Sequence, residues 1–260
     1  MRSIKLSILL LLLFLGMPIA AEPSVEKGLA IAVEMDRRDA GFADSASTME
    51  MVLKNRKGDV STRKLRNRVL EQEEGNKSIF VFDDPLDVKG AALLTFSYKT
   101  KNDDQWLYLP ALKRTKRISS SNQSGPFMGS EFAYEDMASQ EVEKYSYSYL
   151  QDEELDGMPV FVLARYPVDQ KSGYTRQLLW VDKDEYRPWK IEYYDRKRTL
   201  LKTLTFADYQ QYLAKYWRPH QMEMINHQTG KSTLLKWDDF QFKNGYTEKD
   251  FSLNSLTNIR

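Results

Sequence analysis

Apolar residues recur along the chain with two different periods. From Glu22 to about Arg38, Val25, Leu29, Ala32 and Val33 fall at helical spacing, with acids early and Arg37-Arg38 late, as a helix dipole favours. The pattern predicts one helix, free either to pack on a sheet or to move as a lid. From Thr48 onward the period becomes two. Met49, Met51 and Leu53 alternate with Thr48, Glu50 and Lys54, and Leu65 and Val69 oppose Lys64, Arg66 and Arg68. Leu94, Phe96 and Tyr98 alternate with Thr95, Ser97 and Lys99, and Trp189, Ile191 and Tyr193 repeat the pattern around Lys190 and Glu192. Such alternation predicts antiparallel strands with one face wet and the other buried or bound.

Turn chemistry separates these runs, at Lys57-Gly58-Asp59, Glu74-Gly75-Asn76, Asn102-Asp103-Asp104, Asp156-Gly157, Gly173, Asp182-Lys183-Asp184 and Thr229-Gly230. Roughly a dozen strands are expected, spaced like successive hairpins without helical crossovers. The fold class is therefore mainly β: an antiparallel meander, strongly curved or barrel-like. No repeat or linker divides residues 22–260, so they are expected to form one domain. Ser119 to Gln140 is the exception. Its Ser119-Ser120-Ser121-Asn122 and Gly125-Pro126 stretches resist strand formation, yet Phe127, Met128, Phe132, Tyr134 and Met137 are too apolar for a solvated loop. A loop of this kind either covers a site as a lid or packs on the core rim.

Residues 1–21 have the layout of a secretory signal. Arg2 and Lys5 precede an apolar run from Leu6 to Leu15, and Ala20-Ala21 offers a cleavage point, although Ile19 is larger than the small residue preferred there. A run of about ten residues is short for a transmembrane helix, so an uncleaved anchor is the weaker reading. The mature chain is expected to be exported and soluble.

Composition narrows the chemistry. With no cysteine, disulfide scaffolds and cysteine-ligated metal sites are excluded. Near-balance of 38 Lys+Arg against 37 Asp+Glu argues against a nucleic-acid surface. The 5 Trp, 15 Tyr and 12 Phe favour strands and suffice for a core. Phosphate-loop, nucleophile-elbow and His-Glu-x-x-His patterns are all missing. The two histidines, His220 and His227, have odd spacing that sends them to opposite faces of a strand. The adjacent acids Asp83-Asp84, Asp103-Asp104 and Glu153-Glu154 flank turns, and none of the acidic pairs, Asp238-Asp239 included, supplies carboxylates converging across a cleft. The expectation is a protein that is not an enzyme and carries neither cofactor nor metal.

Two binding features remain. Met49, Met51, Leu94, Phe96 and Tyr98 are expected to share one apolar face that either closes as a core or holds an apolar ligand, methionine being adaptable to ligands of varied shape. Lys113, Arg114, Lys116 and Arg117 form the densest basic cluster, which reads either as a protected edge strand or as a contact for an anionic headgroup or partner.

The block from Gln105 to Ser119, Gln-Trp-Leu-Tyr-Leu-Pro-Ala-Leu-Lys-Arg-Thr-Lys-Arg-Ile-Ser, with Gly129 to Met137 after it, resembles the outer-membrane lipoprotein-sorting family, the LolA-like proteins. Trp217 to Met224 and Thr229 to Thr233 are similar to the same family's C-terminal part. The resemblance implies an unclosed, strongly curved antiparallel sheet, a half-barrel whose apolar concavity is covered by helices and a loop lid. It implies a soluble periplasmic carrier of lipid or lipoprotein acyl chains toward the outer membrane. A lipid-sensing or accessory subunit of an RND/MMPL-type inner-membrane exporter is the alternative, and a periplasmic hydrolase a lesser one. On this reading the lid is Phe127, Met128, Phe132 and Tyr134, the partners are acyl chains and such an exporter, and the chain is a monomer that binds no nucleic acid.

Overall fold

A computed structural model describes residues 24–258. The proposed signal segment 1–21 lies outside them. A helix, α1 (Val25–Asp39), precedes thirteen strands: β1 (Asp44–Lys54), β2 (Val60–Leu70), β3 (Lys77–Asp84), β4 (Ala92–Phe96), β5 (Asp104–Leu109), β6 (Arg114–Ile118), β7 (Tyr145–Leu155), β8 (Met158–Pro167), β9 (Tyr174–Asp182), β10 (Pro188–Asp195), β11 (Leu200–Tyr212), β12 (Tyr216–Asn226) and β13 (Ser232–Phe242). A short C-terminal helix, α2 (Leu253–Asn258), follows.

All thirteen strands form one antiparallel sheet that is not closed into a barrel, in the order β6-β5-β4-β3-β2-β1-β13-β12-β11-β10-β9-β8-β7. The order explains the long irregular stretch. The chain begins mid-sheet at β1 and steps outward by hairpins to one edge, β6. Residues 119–144 then cross to the opposite edge, β7, and hairpins return to β13 beside β1. This crossover joins the two arms of the curved sheet. Lys144 at its end bonds Asp103 of the β4–β5 turn at 2.8 Å, tying the rims together.

Sheet register places Met49, Met51, Leu65, Phe80, Phe82, Leu93 and Leu107 in the main core, on the concave face, with the crossover's Phe127, Phe132 and Met137 packed among them. Phe127 meets Phe82 and Tyr134 at ring separations of 5.7 Å each. The opposite face of β3–β5 carries a second cluster, Ile79, Val81, Ala92 and Leu94, closed by Phe251 and Leu256 of the C-terminal segment.

Helix α1 forms where the sequence predicts it, capped by Ser24 Oγ accepting from Lys27 N at 3.2 Å. It packs with a different face. Gly28, Ile31 and Ala32 are buried and Met35 joins the core, whereas Val25, Leu29 and Val33 are exposed. The reason is Gly28, where a Cβ would lie 2.6 Å from Tyr149 N; without one the helix rests directly on the β7 backbone. The apolar stripe read from the sequence is thus one step around the helix from the stripe that is used.

Candidate ligand-binding site

The β7–β12 arm of the concave face is not filled by the crossover. Register aligns Leu163, Leu179, Ile191, Leu204 and Met224 as one apolar row across β8–β12. Above the row lies a cavity of about 840 Å³, within the range of roughly 300–1,000 Å³ typical of ligand pockets. Leu163, Leu179, Ile191, Leu204, Phe206 and Met222 form its floor, Ala32 and Met35 of α1 its roof, and Phe132 of the crossover part of its inner wall.

Opposite charges hold the roof in place at the α1 C-terminus. Arg38 donates to Asp184 O at 2.7 Å and stacks on the Tyr186 ring at 4.6 Å, while Arg218 pairs with Asp39. Asp184 and Tyr186 belong to the β9–β10 turn and Arg218 to the start of β12, so the cavity mouth is framed by α1, two hairpin ends and the aromatics Tyr186, Tyr209, Trp217 and Phe240. Asp182 organises the first tip. Burial opposes its ionisation, but donors from Glu185 N (2.6 Å), Arg187 Nε (2.9 Å) and Trp189 Nε1 (3.0 Å) keep its carboxyl below the usual carboxylate range.

Two residues along the strands, on the same face and toward the crossover, the floor turns polar. Arg165, Gln177, Tyr193, Lys202 and Asn226 align across β8–β12. The crossover docks on this row: Lys202 Nζ donates to Asp136 at 3.2 Å and to Glu131 O at 2.8 Å, and Asn226 Nδ2 to Glu131 at 2.7 Å. Tyr174 Oη also donates to Asp136, at 2.8 Å. Glu135 accepts from Ser172 Oγ at 2.6 Å and Gly173 N at 2.9 Å, yet burial, then the adjacent Asp136, push its carboxyl up to about 7. A polar seam therefore closes the inner end of the apolar cavity. In the walls Asn67 Oδ1, Trp217 Nε1 and Trp237 Nε1 are buried without a partner, a cost that filled cores generally avoid.

Among the described residues no group of three or more His, Cys, Asp or Glu is placed to hold a metal ion. His220 bonds Tyr212 Oη at 2.8 Å and His227 bonds Thr203 Oγ1 at 2.7 Å, so each ring meets a local hydroxyl.

The architecture has clear relatives. A domain from Vibrio parahaemolyticus, assigned as an outer membrane lipoprotein-sorting protein domain, shares 58% identity over 90% of this chain and 100% of its own, with a TM-score of 0.88. A DUF1329 family protein from Desulfovibrio piger shares 32% identity over 89% of this chain and 98% of its own, with a TM-score of 0.85. The chain belongs to the outer-membrane lipoprotein-sorting family. A family model described as an uncharacterized protein matches residues 74–258. A LolA superfamily protein from Nitrosomonas europaea, at 22% identity over 88% of this chain and 98% of its own, shares the fold with a TM-score of 0.71. None of the curated proteins matches the chain.

In this LolA-like half-barrel the residues expected to share one face are divided. Met49 and Met51 are concave but lie in the filled core and do not line the cavity. Leu94 and Phe96 are on the outer face under the C-terminal segment, Phe96 with its ring edge toward Trp106 at 5.2 Å. Tyr98 lies past the end of β4, its Oη bonded to Asp104 at 3.4 Å. On β4 Leu93 faces the concave core, but the next inward positions serve the crossover: Thr95 accepts from Gln105 Nε2 at 3.2 Å, which also donates to Tyr134 O at 2.8 Å, and Ser97 Oγ, just past the strand, accepts from Ser139 N at 3.0 Å. Leu94 and Phe96, between them, face outward.

Of the four residues expected to form a lid, Phe127 and Phe132 are buried and Met128 and Tyr134 pack on the same core. Only Phe132 of the four borders the cavity. Lys113, Arg114, Lys116 and Arg117 lie on or beside β6, an edge strand, where Arg117 pairs with Asp104. The true floor went unread because Val160-Phe161-Val162-Leu163-Ala164 is continuously apolar. Val160 and Val162 fill an outer cluster with Trp180, so the run has no visible phase. Arg165, at the end of that run, was the available signal.

Proposed function

We propose that this protein is a periplasmic carrier that shields the acyl chains of a lipid or lipoprotein in its concave cavity on the way to the outer membrane. The observation that carries the reading is the cavity of about 840 Å³ with a continuous apolar floor, roofed by α1 and walled by the crossover. Each methylene taken from water contributes about 0.8 kcal/mol, so a cavity of this kind can hold a chain that water would not. The assignment of the Vibrio relative to outer membrane lipoprotein sorting supports the same reading. The N-terminal segment fits export, with cleavage near Ala21 leaving a monomeric mature protein. Phe132 acts as the inner cover of the cargo, and the basic cluster at Lys113, Arg114, Lys116 and Arg117 contacts anionic headgroups or an RND/MMPL-type exporter. The protein works by binding and release, without covalent chemistry.

The test is gentle isolation from periplasm, native mass spectrometry, and exchange of bound lipid between two vesicle populations. Retained lipid that moves between vesicles supports the carrier. Retained lipid that does not move makes the protein a sensor or accessory subunit, and protein that never binds lipid rejects the reading.

A further inference from the structure

Arg165 is a buried guanidinium, 6% exposed, on the inner wall of the cavity. Its Nε donates to the amide oxygen of Gln177 at 2.7 Å and its Nη2 to that of Gln140 at 3.3 Å, while the group stacks on the Tyr145 ring at 4.3 Å. These acceptors are neutral, and among the described residues Arg165 forms no ion pair. The neighbouring carboxylates are engaged elsewhere: Asp136 by Lys202 and Tyr174, Glu135 by Ser172 and Gly173. Glu141, another buried acid of the cavity wall, lies in the field of Lys144 and Lys99. Among the described residues the third nitrogen of Arg165, Nη1, has no hydrogen-bond partner. A buried cation held by neutral amides beside an apolar floor is costly in an empty protein and suited to an anion that arrives with hydrophobic contacts. Gln140 borders both this cavity and a second cleft of about 420 Å³ whose lining residues are mostly polar or charged, so the Arg165–Gln140 pair stands between the two.

We propose that this seam end is an anion subsite, in which Arg165 takes the carboxylate or phosphate of an amphiphile whose hydrocarbon lies along Leu163, Leu179, Ile191 and Leu204. The proposal rests on the carrier reading and specifies its cargo as anionic and oriented. Charge-assisted hydrogen bonds to a buried guanidinium predict a preference of about tenfold or more over a neutral chain of equal length.

The experiment measures affinities of the mature protein for hexadecanoate, hexadecyl phosphate and hexadecanol by calorimetry, alongside melting temperature. Wild type is expected to bind one or both anions about tenfold more tightly than the alcohol. Hexadecanoate alone points to a fatty acid, hexadecyl phosphate to a phospholipid headgroup. In Arg165→Gln the preference of the anions over hexadecanol is lost, and the melting temperature is kept or raised because an uncompensated buried charge has gone. Arg165→Lys, which keeps the charge without the fork, retains a reduced preference and supplies the test should the glutamine variant not fold. Equal binding of all three compounds by wild type, or an anion preference that survives Arg165→Gln or stays undiminished in Arg165→Lys, overturns the subsite and leaves the carrier reading standing. Failure of hexadecanol and both anions to bind overturns the carrier reading with it.

Discussion

Replacing Gly28 by alanine should lift α1 off the sheet. A Cβ at this position would lie 2.6 Å from Tyr149 N, 2.7 Å from Ser148 C and 3.0 Å from Ser148 Cα, all backbone atoms that cannot rotate away. Overpacking of this kind costs about 1–3 kcal/mol, whereas alanine gains about 1 kcal/mol in helix propensity. Three backbone contacts at once place the clash in the upper half of that range, about 2–3 kcal/mol, leaving a net loss of about 1–2 kcal/mol. For a domain of this size that lowers Tm by about 2–8 °C. The paired bonds Ser24 N to Tyr149 O (3.0 Å) and Tyr149 N to Ser24 O (2.8 Å) sit at the same contact and should loosen with it. The assay is thermal unfolding with hydrogen exchange on the α1 amides, and Leu29→Ala serves as comparison. Leu29 is 44% exposed and its truncation should change stability by less than about 0.5 kcal/mol. If Gly28→Ala is as stable as wild type with unchanged exchange, α1 is not clamped on β7 and the roof is a mobile lid.

Glu135 should make stability depend on pH. Its carboxyl, raised from 4.5 to about 7 chiefly by burial, keeps a proton in the folded protein that the unfolded chain releases, so stability falls by a few kcal/mol as pH rises through that window and is level above it. Glu135→Gln should flatten the change in urea midpoint between pH 5 and pH 8; an equal slope in both proteins removes Glu135 as its source. Phe96→Glu should cost about 1–3 kcal/mol through lost packing on Trp106, while lipid binding per folded molecule stays as in wild type. Impaired lipid binding in the folded mutant would contradict the outer-face placement. Reversing Lys113, Arg114, Lys116 and Arg117 should leave folding within about 1 kcal/mol, because exposed charges contribute little, and should weaken adhesion to anionic vesicles. Unchanged adhesion reduces the cluster to protection of the β6 edge.

Hairpins and turns were legible because two-residue alternation broken by Gly, Asn and Asp is a local signal, and β1, β2 and β10 follow it. The joining of the sheet's two arms was not. It rests on β1 pairing with β13, Met49 opposite Trp237, and on a crossover between the two edges, contacts that no local period encodes. Face assignment failed where both faces are covered. On β4 the C-terminal segment buries Leu94 outside while the crossover bonds Ser97 inside, so apolar no longer meant concave. On β8 the unbroken run concealed Leu163, the cavity floor. The crossover's apolar content did mark a segment that packs on the sheet, since Phe127 and Phe132 are buried in the core.

The central claim is that cargo lies on the concave floor of the β7–β12 arm. A hexadecanoate carrying a photoreactive group near its methyl end, loaded into the mature protein, irradiated and mapped by peptide mass spectrometry, tests it directly. The account predicts crosslinks on Leu163, Leu179, Ile191, Leu204 or the facing Met35 of α1, suppressed by excess unlabelled hexadecanoate. Crosslinks confined to the outer face, at Leu94, Phe96 or Leu256, would contradict it.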